Sequence, residues 1–213
     1  MNVMKKVVAT TVLIVSAVGM LTAQGAVEYS QAQAAAQSSE ASTGQTQVQN
    51  LSVDEGILHM REEEKLARDV YLTLYERWGI RTFAQIARSE QRHIDAVAAL
   101  MQYQGIQDPT ADLAVGEFTL PEMQQLYDDL VAKGSESAIE ALTVGAIIED
   151  LDIYDLQQLL NGSDDPLVVQ VYSSLLRGSE NHMRSFAGLL DRFDAPYTPS
   201  YISQTDFDTI MNP

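Results

Sequence analysis

Ala87-Arg88-Ser89-Glu90-Gln91-Arg92-His93 sets a carboxylate and an imidazole three residues apart. On a helix, positions i and i+3 share one face about a turn apart, so both groups can reach a common ligand. Working outward, Phe83, Ile86, Glu90, His93, Val97 and Leu100 follow at steps of three and four, the seam by which a helix meets its partners. Glu90 and His93 thus occupy core positions of a helix that the pattern predicts from Thr82, capped by Thr82 and Gln85, to about Gln104, with Gly105 beyond its end. A carboxylate in a core is costly unless something pairs with it, so the partners of Glu90 decide both fold and function.

Three further helices carry the same rhythm. Ser52-Val53-Asp54-Glu55 is a capping box, and the helix behind it places Ile57, Met60, Glu64, Ala67, Tyr71, Leu74 and Trp78 on one stripe before Gly79 ends it. Glu62 and Glu63 turn progressively away from that stripe, which singles out Glu64. His59 lies off the stripe and is taken as structural; Arg68, at i+4, is placed to pair with Glu64. The stretch from Ile106 to Gly134 is too long for a simple antiparallel turn and reads as a crossover. It contains a short helix begun by Thr119, with Pro121 in its first turn and Gly134 beyond its end. The next long helix, about Glu136 to Leu160, has Ala138, Leu142, Gly145, Glu149, Asp152, Leu156 and Leu159 on its seam. After Asn161-Gly162, Asp164 or Asp165 caps a last long helix with Pro166 in its first turn. Its seam, to about Phe193, is Tyr172, Leu175, Ser179, His182, Phe186, Leu189 and Phe193. No strand alternation, phosphate-binding glycine loop or nucleophile elbow is present in the sequence.

The chain has 213 residues, 46% of them apolar, enough for one domain with extensions. A formal charge of −17 excludes nucleic acid as a partner and gives a strongly hydrated acidic surface. Without cysteine there is no disulfide, thiolate metal site, lipoprotein anchor or built-in rubredoxin-type iron. Lys5 and Lys6 precede an apolar run from Val7 to Ala23, and Ala23-Gln24-Gly25 offers small residues for cleavage. Residues 1–25 are therefore expected to be a signal peptide, placing the protein outside the cytoplasm, secreted or in the periplasm or cell envelope. The other reading is an uncleaved anchor, since about 17 apolar residues just span a bilayer, and only then is a membrane involved. Residues 26–51, rich in Gln, Ala and Ser, form a flexible linker. Residues 52–195 make the helical domain, and in the tail, 196–213, Tyr197, Tyr201, Ile202, Phe207 and Ile210 are expected to pack back on it.

Each long helix thus carries a polar group in mid-seam: Glu64; Glu90 and His93; Glu149 and Asp152; His182. Four carboxylates and two imidazoles buried together repel one another or shift their pKa values by several units without a cation. Two divalent metals resolve the conflict, and hard oxygen with imidazole suits iron or manganese. The bland readings are a solvated face for the acid-rich stretch Glu149-Asp150-x-Asp152-x-x-Asp155, a satisfied core histidine at His182, and core aromatics at Tyr71 and Tyr154.

These residues resemble the ferritin-like di-iron superfamily, whose core takes a Glu from each of two helices and Glu-x-x-His from each of the other two. Glu64-Lys65-Leu66-Ala67-Arg68-Asp69-Val70-Tyr71 is similar to the rubrerythrin first-helix pattern, Ile86-Ala87-x-x-Glu90-x-x-His93 to the second, and Gly145-x-x-x-Glu149-x-x-Asp152 to the third. Arg61 to Tyr71 and Gly178-Ser179-Glu180-Asn181-His182 are similar to a prokaryotic ferritin-like family of unknown function. The resemblance implies an all-α fold, a ferritin-like four-helix bundle with a long crossover between the second and third long helices. It implies two iron ions, with manganese as the variant, on Glu64, Glu90, His93, Glu149 and His182. It also implies reaction with oxygen or peroxide, as an oxidoreductase of peroxidase or ferroxidase type fed by an external electron donor. Ser179 stands where the fourth helix should carry Glu, leaving Asp152, or Glu180 turned about 100° off the seam, to complete the set. A non-catalytic metal-binding or sequestering protein and a metal-free helical scaffold are the alternatives. A homo-oligomer is left open.

Overall fold

The computed structural model describes residues 48–213, so the expected signal peptide and the linker up to residue 47 lie outside the described residues. Ser52 opens helix α1 (Val53–Trp78) through the capping box: its hydroxyl accepts the Glu55 N–H and the Glu55 side chain accepts the Ser52 N–H. Gly79, at φ 65, closes it in the left-handed conformation that glycine adopts without strain. Helix α2 (Arg81–Gln104) starts at Ile80 with no side-chain cap, so Thr82 and Gln85 are not its cap; Gly105 ends it at φ 75. Helix α3 (Pro121–Gly134) follows the crossover, with Leu120 rather than Thr119 at its N-cap and Gly134 as its last residue. Helix α4 (Ala138–Asn161) is capped by Ser137, and helix α5 (Pro166–Arg192) by Asp165, whose carboxylate takes the Leu167 and Val168 N–H groups. A short helix, α6 (Gln204–Met211), completes the chain. The described residues are all-helical, with six helices and no strand. None of these helices is long and apolar enough to cross a membrane.

Helix α1 packs on α2 and α4, α5 packs on α4 and α2, and α3 leans on α1 and α4. The apolar interior is in two parts. One holds Tyr71, Leu74, Phe83, Leu142, Phe186 and Leu190; the other holds Ile57, Met60, Val97, Leu100, Leu156 and Leu175. Helices α1 and α5 run from the second part to the first, and α2 and α4 run the opposite way, so touching long helices are antiparallel. Between the two parts each long helix shows its mid-seam polar residues. Burying one large apolar side chain contributes about 1.5–3 kcal/mol, so the two clusters together can carry a costly polar layer between them. At the end of α5 the expected seam drifts: Phe193 is 58% exposed and Leu190, not Leu189, is buried. A helix of 3.6 residues per turn does not hold a strict heptad over this length.

The crossover covers a second face of α1, which is why Glu62 is as buried as Glu64, while Glu63 is equally buried beside Asp155 of α4. Arg61 holds Asp108 at 2.8–2.9 Å, Glu62 accepts the Thr119 N–H and hydroxyl, Lys65 Nζ donates to Asp69 and to the Ala114 carbonyl, and Asp69 accepts the Gly116 N–H. Arg68 pairs with Asp69 and Gln91 instead of Glu64. Ordered packing also begins before Ser52, because Val48 is buried in the second apolar cluster and Gln49 bonds Tyr154 and Gln158. The tail residues Ile202, Phe207 and Ile210 are buried in the first cluster.

Candidate metal centre

Glu64 reaches the layer from α1, Glu90 and His93 from α2, Glu149 and Asp152 from α4, and Ser179 and His182 from α5. Glu64, Glu90, Glu149 and Asp152 are each at most 5% exposed. The groups converge as two triads, Glu64–Glu90–His93 and Glu90–Glu149–His182, each with its ligand atoms within 4.8 Å of one another. Glu90 belongs to both. Its Oε2 lies 2.7 Å from His93 Nδ1 and its Oε1 lies 2.8 Å from His182 Nδ1. Glu64 Oε2 stands 3.2 Å from His93 Nδ1, and Glu149 Oε2 stands 3.4 Å from His182 Nδ1. The two imidazoles lie side by side, with ring centroids 5.5 Å apart.

Glycine makes part of this approach possible. A Cβ on Gly178 would clash with His93 Nε2, so α5 can pass the imidazole only because it has no side chain there. A Cβ on Gly145 would sit 2.5 Å from the Phe186 ring, which packs against Tyr71. The Tyr71 hydroxyl in turn donates to Glu149 Oε1 at 2.5 Å, orienting that carboxylate. Tyr71 is therefore a core aromatic that also touches the site. Ser179 donates to Asp152 Oδ2, so the serine that replaces the expected glutamate holds an aspartate instead. Asp152 is buried beside the triads but belongs to neither. Glu180 is half-buried on α5 and also joins neither triad.

The electrostatics of the layer are strained without a cation. Burial raises the Glu64 carboxyl to about 8, and burial with Glu64, Glu63 and Glu149 nearby holds Asp152 well above the usual range. Burial would lower both imidazoles, but Glu64 and Glu90 push His93 up to about 11, and Glu149 and Glu90 push His182 up to about 10. Burial would raise Glu90, yet His182 and His93 hold it down at about 2. Glu64 Oε1 and Asp152 Oδ1 are buried with no hydrogen-bond partner, and Glu90 Oε1 and His182 Nδ1 meet only as an ion pair, out of line for a hydrogen bond. Such orphaned groups are rare in folded proteins, and a shared positive charge would satisfy several of them at once. Two divalent ions would balance the four carboxylates with both imidazoles neutral, so the residues fit the dinuclear metal that the resemblance implies.

Sequence reasoning missed a third constellation on the flank of this layer. His59 and Glu63 of α1 and Asp155 of α4 bring their ligand atoms within 4.8 Å. The only sequence trace is the i, i+4 spacing of His59 and Glu63, which is common on ordinary helix surfaces. The acids of α4 do not make a solvated face either: Glu149, Asp150, Asp152 and Asp155 are all buried.

The fold and site define a class: an all-helical protein whose interior gathers carboxylates and imidazoles from four helices. The chain belongs to the family described as Uncharacterized protein domain (DUF2202), which it matches over residues 54–213. It is 48% identical over 158 residues to Uncharacterized protein MJ0754 of Methanocaldococcus jannaschii, a match spanning 74% of this chain and 85% of that protein. It is similar to the crystal structure of hypothetical protein MJ0754 from Methanococcus jannaschii, with a TM-score of 0.74 at 48% identity, covering 75% of this chain and 91% of that one.

Proposed function

We propose that the four long helices form a ferritin-like four-helix bundle, with the stretch from Ile106 into α3 as its crossover, and that the polar layer holds a dinuclear iron centre. The observation that carries this reading is Glu90, one buried carboxylate with an oxygen turned to each of two acid–histidine triads. Glu64 and His93 would serve one ion, Glu149 and His182 the other, and Glu90 both. Asp152, fixed by Ser179, is the further carboxylate; Glu180 is the weaker choice. Manganese fits the same donors. Bound there, the metal pair would supply redox change and polarisation of oxygen or peroxide.

The chain's own residues set the conditions for that chemistry. The two apolar clusters exclude water from either side of the layer. Tyr71 and Ser179 orient two of the carboxylates through hydrogen bonds. With no cysteine in the chain, reducing equivalents would come from a separate donor. The chain would act outside the cytoplasm once residues 1–25 are removed, as an oxidase or peroxidase.

Anaerobic reconstitution with ferrous iron tests this. The central layer is expected to take up about two ions per chain and the loaded protein to oxidise in step with peroxide, with Glu90→Ala losing both properties. An iron content of zero in the wild type would end the reading. Ser179, standing where the resemblance expects a bridging Glu, favours one rival, a metal-sequestering protein; binding without peroxide turnover is its signature.

A further inference from the structure

Outside the central layer, the flank constellation of His59, Glu63 and Asp155 differs from the other buried acids of α1 and α4 in what Glu63 lacks. Glu62 has the Thr119 N–H and hydroxyl, Asp69 has Lys65, Arg68 and the Gly116 N–H, and Asp150 has the Tyr197 hydroxyl and three backbone N–H groups. Glu63 is 2% exposed, and neither of its carboxylate oxygens has a hydrogen-bond partner. His59 does not make up the deficit. Its Nε2 lies 2.9 Å from Asp155 Oδ2 and 3.4 Å from Glu63 Oε2, and one nitrogen can donate only one proton. An imidazolium between two carboxylates would still leave the group net negative, in an interior where unpaired charge is expensive.

We propose that His59, Glu63 and Asp155 form a separate mononuclear site for a divalent transition ion of the zinc or ferrous class. One imidazole nitrogen and two carboxylate oxygens are the hard and borderline donors such ions take, with water completing the shell. Access is through the imidazole, because the His59 side chain is 19% exposed while those of Glu63 and Asp155 are 3% and 5% exposed. Glu63 adjoins Glu64 in sequence, so the site stands at the edge of the central layer. It does not depend on that layer holding metal.

Zinc(II), which is redox-inert, is the probe, added to the full chain and counted after dialysis. His59→Ala and Asp155→Asn are each expected to bind one ion fewer than the wild type, and Glu90→Ala to keep the ion that His59→Ala loses. The quantity read is a difference of one ion, so this site can fail while the central reading stands, and the reverse. Cobalt(II) absorption in the Glu90→Ala background is expected to disappear when His59→Ala is added. If a variant does not fold, zinc-edge anomalous scattering from wild-type crystals decides: a peak among His59, Glu63 and Asp155 supports the site. An unchanged zinc count in folded His59→Ala, or no peak at saturating zinc, overturns it.

Discussion

At the scale of single residues, Gly178 and His93 compete for the same space. A methyl group at residue 178 would clash with His93 Nε2, so Gly178→Ala must displace the imidazole. Alanine gains about 1 kcal/mol over glycine in a helix, but overpacking costs about 1–3 kcal/mol, and the second effect wins where the clash is this close. The variant is expected to melt lower and to bind metal about 10–100-fold more weakly, as when a supporting neighbour of a ligand is lost. Isothermal titration with a divalent ion checks this, and unchanged affinity would show that His93 is not a ligand. Protonation follows the same geometry. His93 is raised from 6.5 to about 11 and Glu64 from 4.5 to about 8, so between pH 4.5 and 11 the folded metal-free chain binds more protons than the unfolded one. The stability these two groups contribute is therefore lost as pH rises through that window. Glu90, lowered to about 2, acts in the opposite sense and loses its contribution as pH falls below 4.5. Metal-free protein is expected to melt lower at pH 9 than at pH 6, and metal uptake at pH 7 to release protons, measured by calorimetry in buffers of different ionisation enthalpy. Uptake without proton release would contradict protonated imidazoles in the metal-free site.

At the scale of the helix, α4 distributes its acids in several directions and each finds a different task. Glu149 turns to the central layer, Asp152 to Ser179, Asp155 to His59, and Asp150 to the tail. Asp150 is fully buried and accepts the Tyr197 hydroxyl and the N–H groups of Ser200, Tyr201 and Ile202. Asp150→Ala would orphan four donors at once, at a cost on the order of 3–5 kcal/mol. The expected result is a lower melting temperature together with faster proteolysis around residues 196–203, read by mass spectrometry. A tail as resistant as in the wild type would mean that Ile202, Phe207 and Ile210 hold it by packing alone. Helix α1 follows the same logic, with Glu62, Glu63 and Glu64 in succession serving the crossover, the flank and the centre.

At the scale of the whole molecule, the chain is acidic outside and has a polar layer inside, and these have different causes. The exposed share of the chain's net negative charge hydrates the surface, whereas the interior acids are held against burial by imidazoles, hydroxyls, N–H groups and, in our proposal, metal. Export is the expectation that belongs to this scale. Expressed in a bacterial host, the chain is expected outside the cytoplasm with Ala26 as its first residue, which N-terminal sequencing determines; full-length protein retained in the membrane would favour the uncleaved anchor. What the sequence determined alone was local and periodic. The seams named Glu64, Glu90, His93, Glu149 and His182, and caps such as Ser52, and Asp165 to within one residue, were legible because side chain and backbone meet within a few residues. The direction of side chains off the seam was not legible, because it depends on which segment covers that face. Only the laying of the crossover over α1 buried Glu62, only the return of the tail gave Asp150 its donors, and only the pairing of α1 with α4 brought His59 and Glu63 against Asp155. Those contacts join residues that are far apart along the chain, so no local pattern records them.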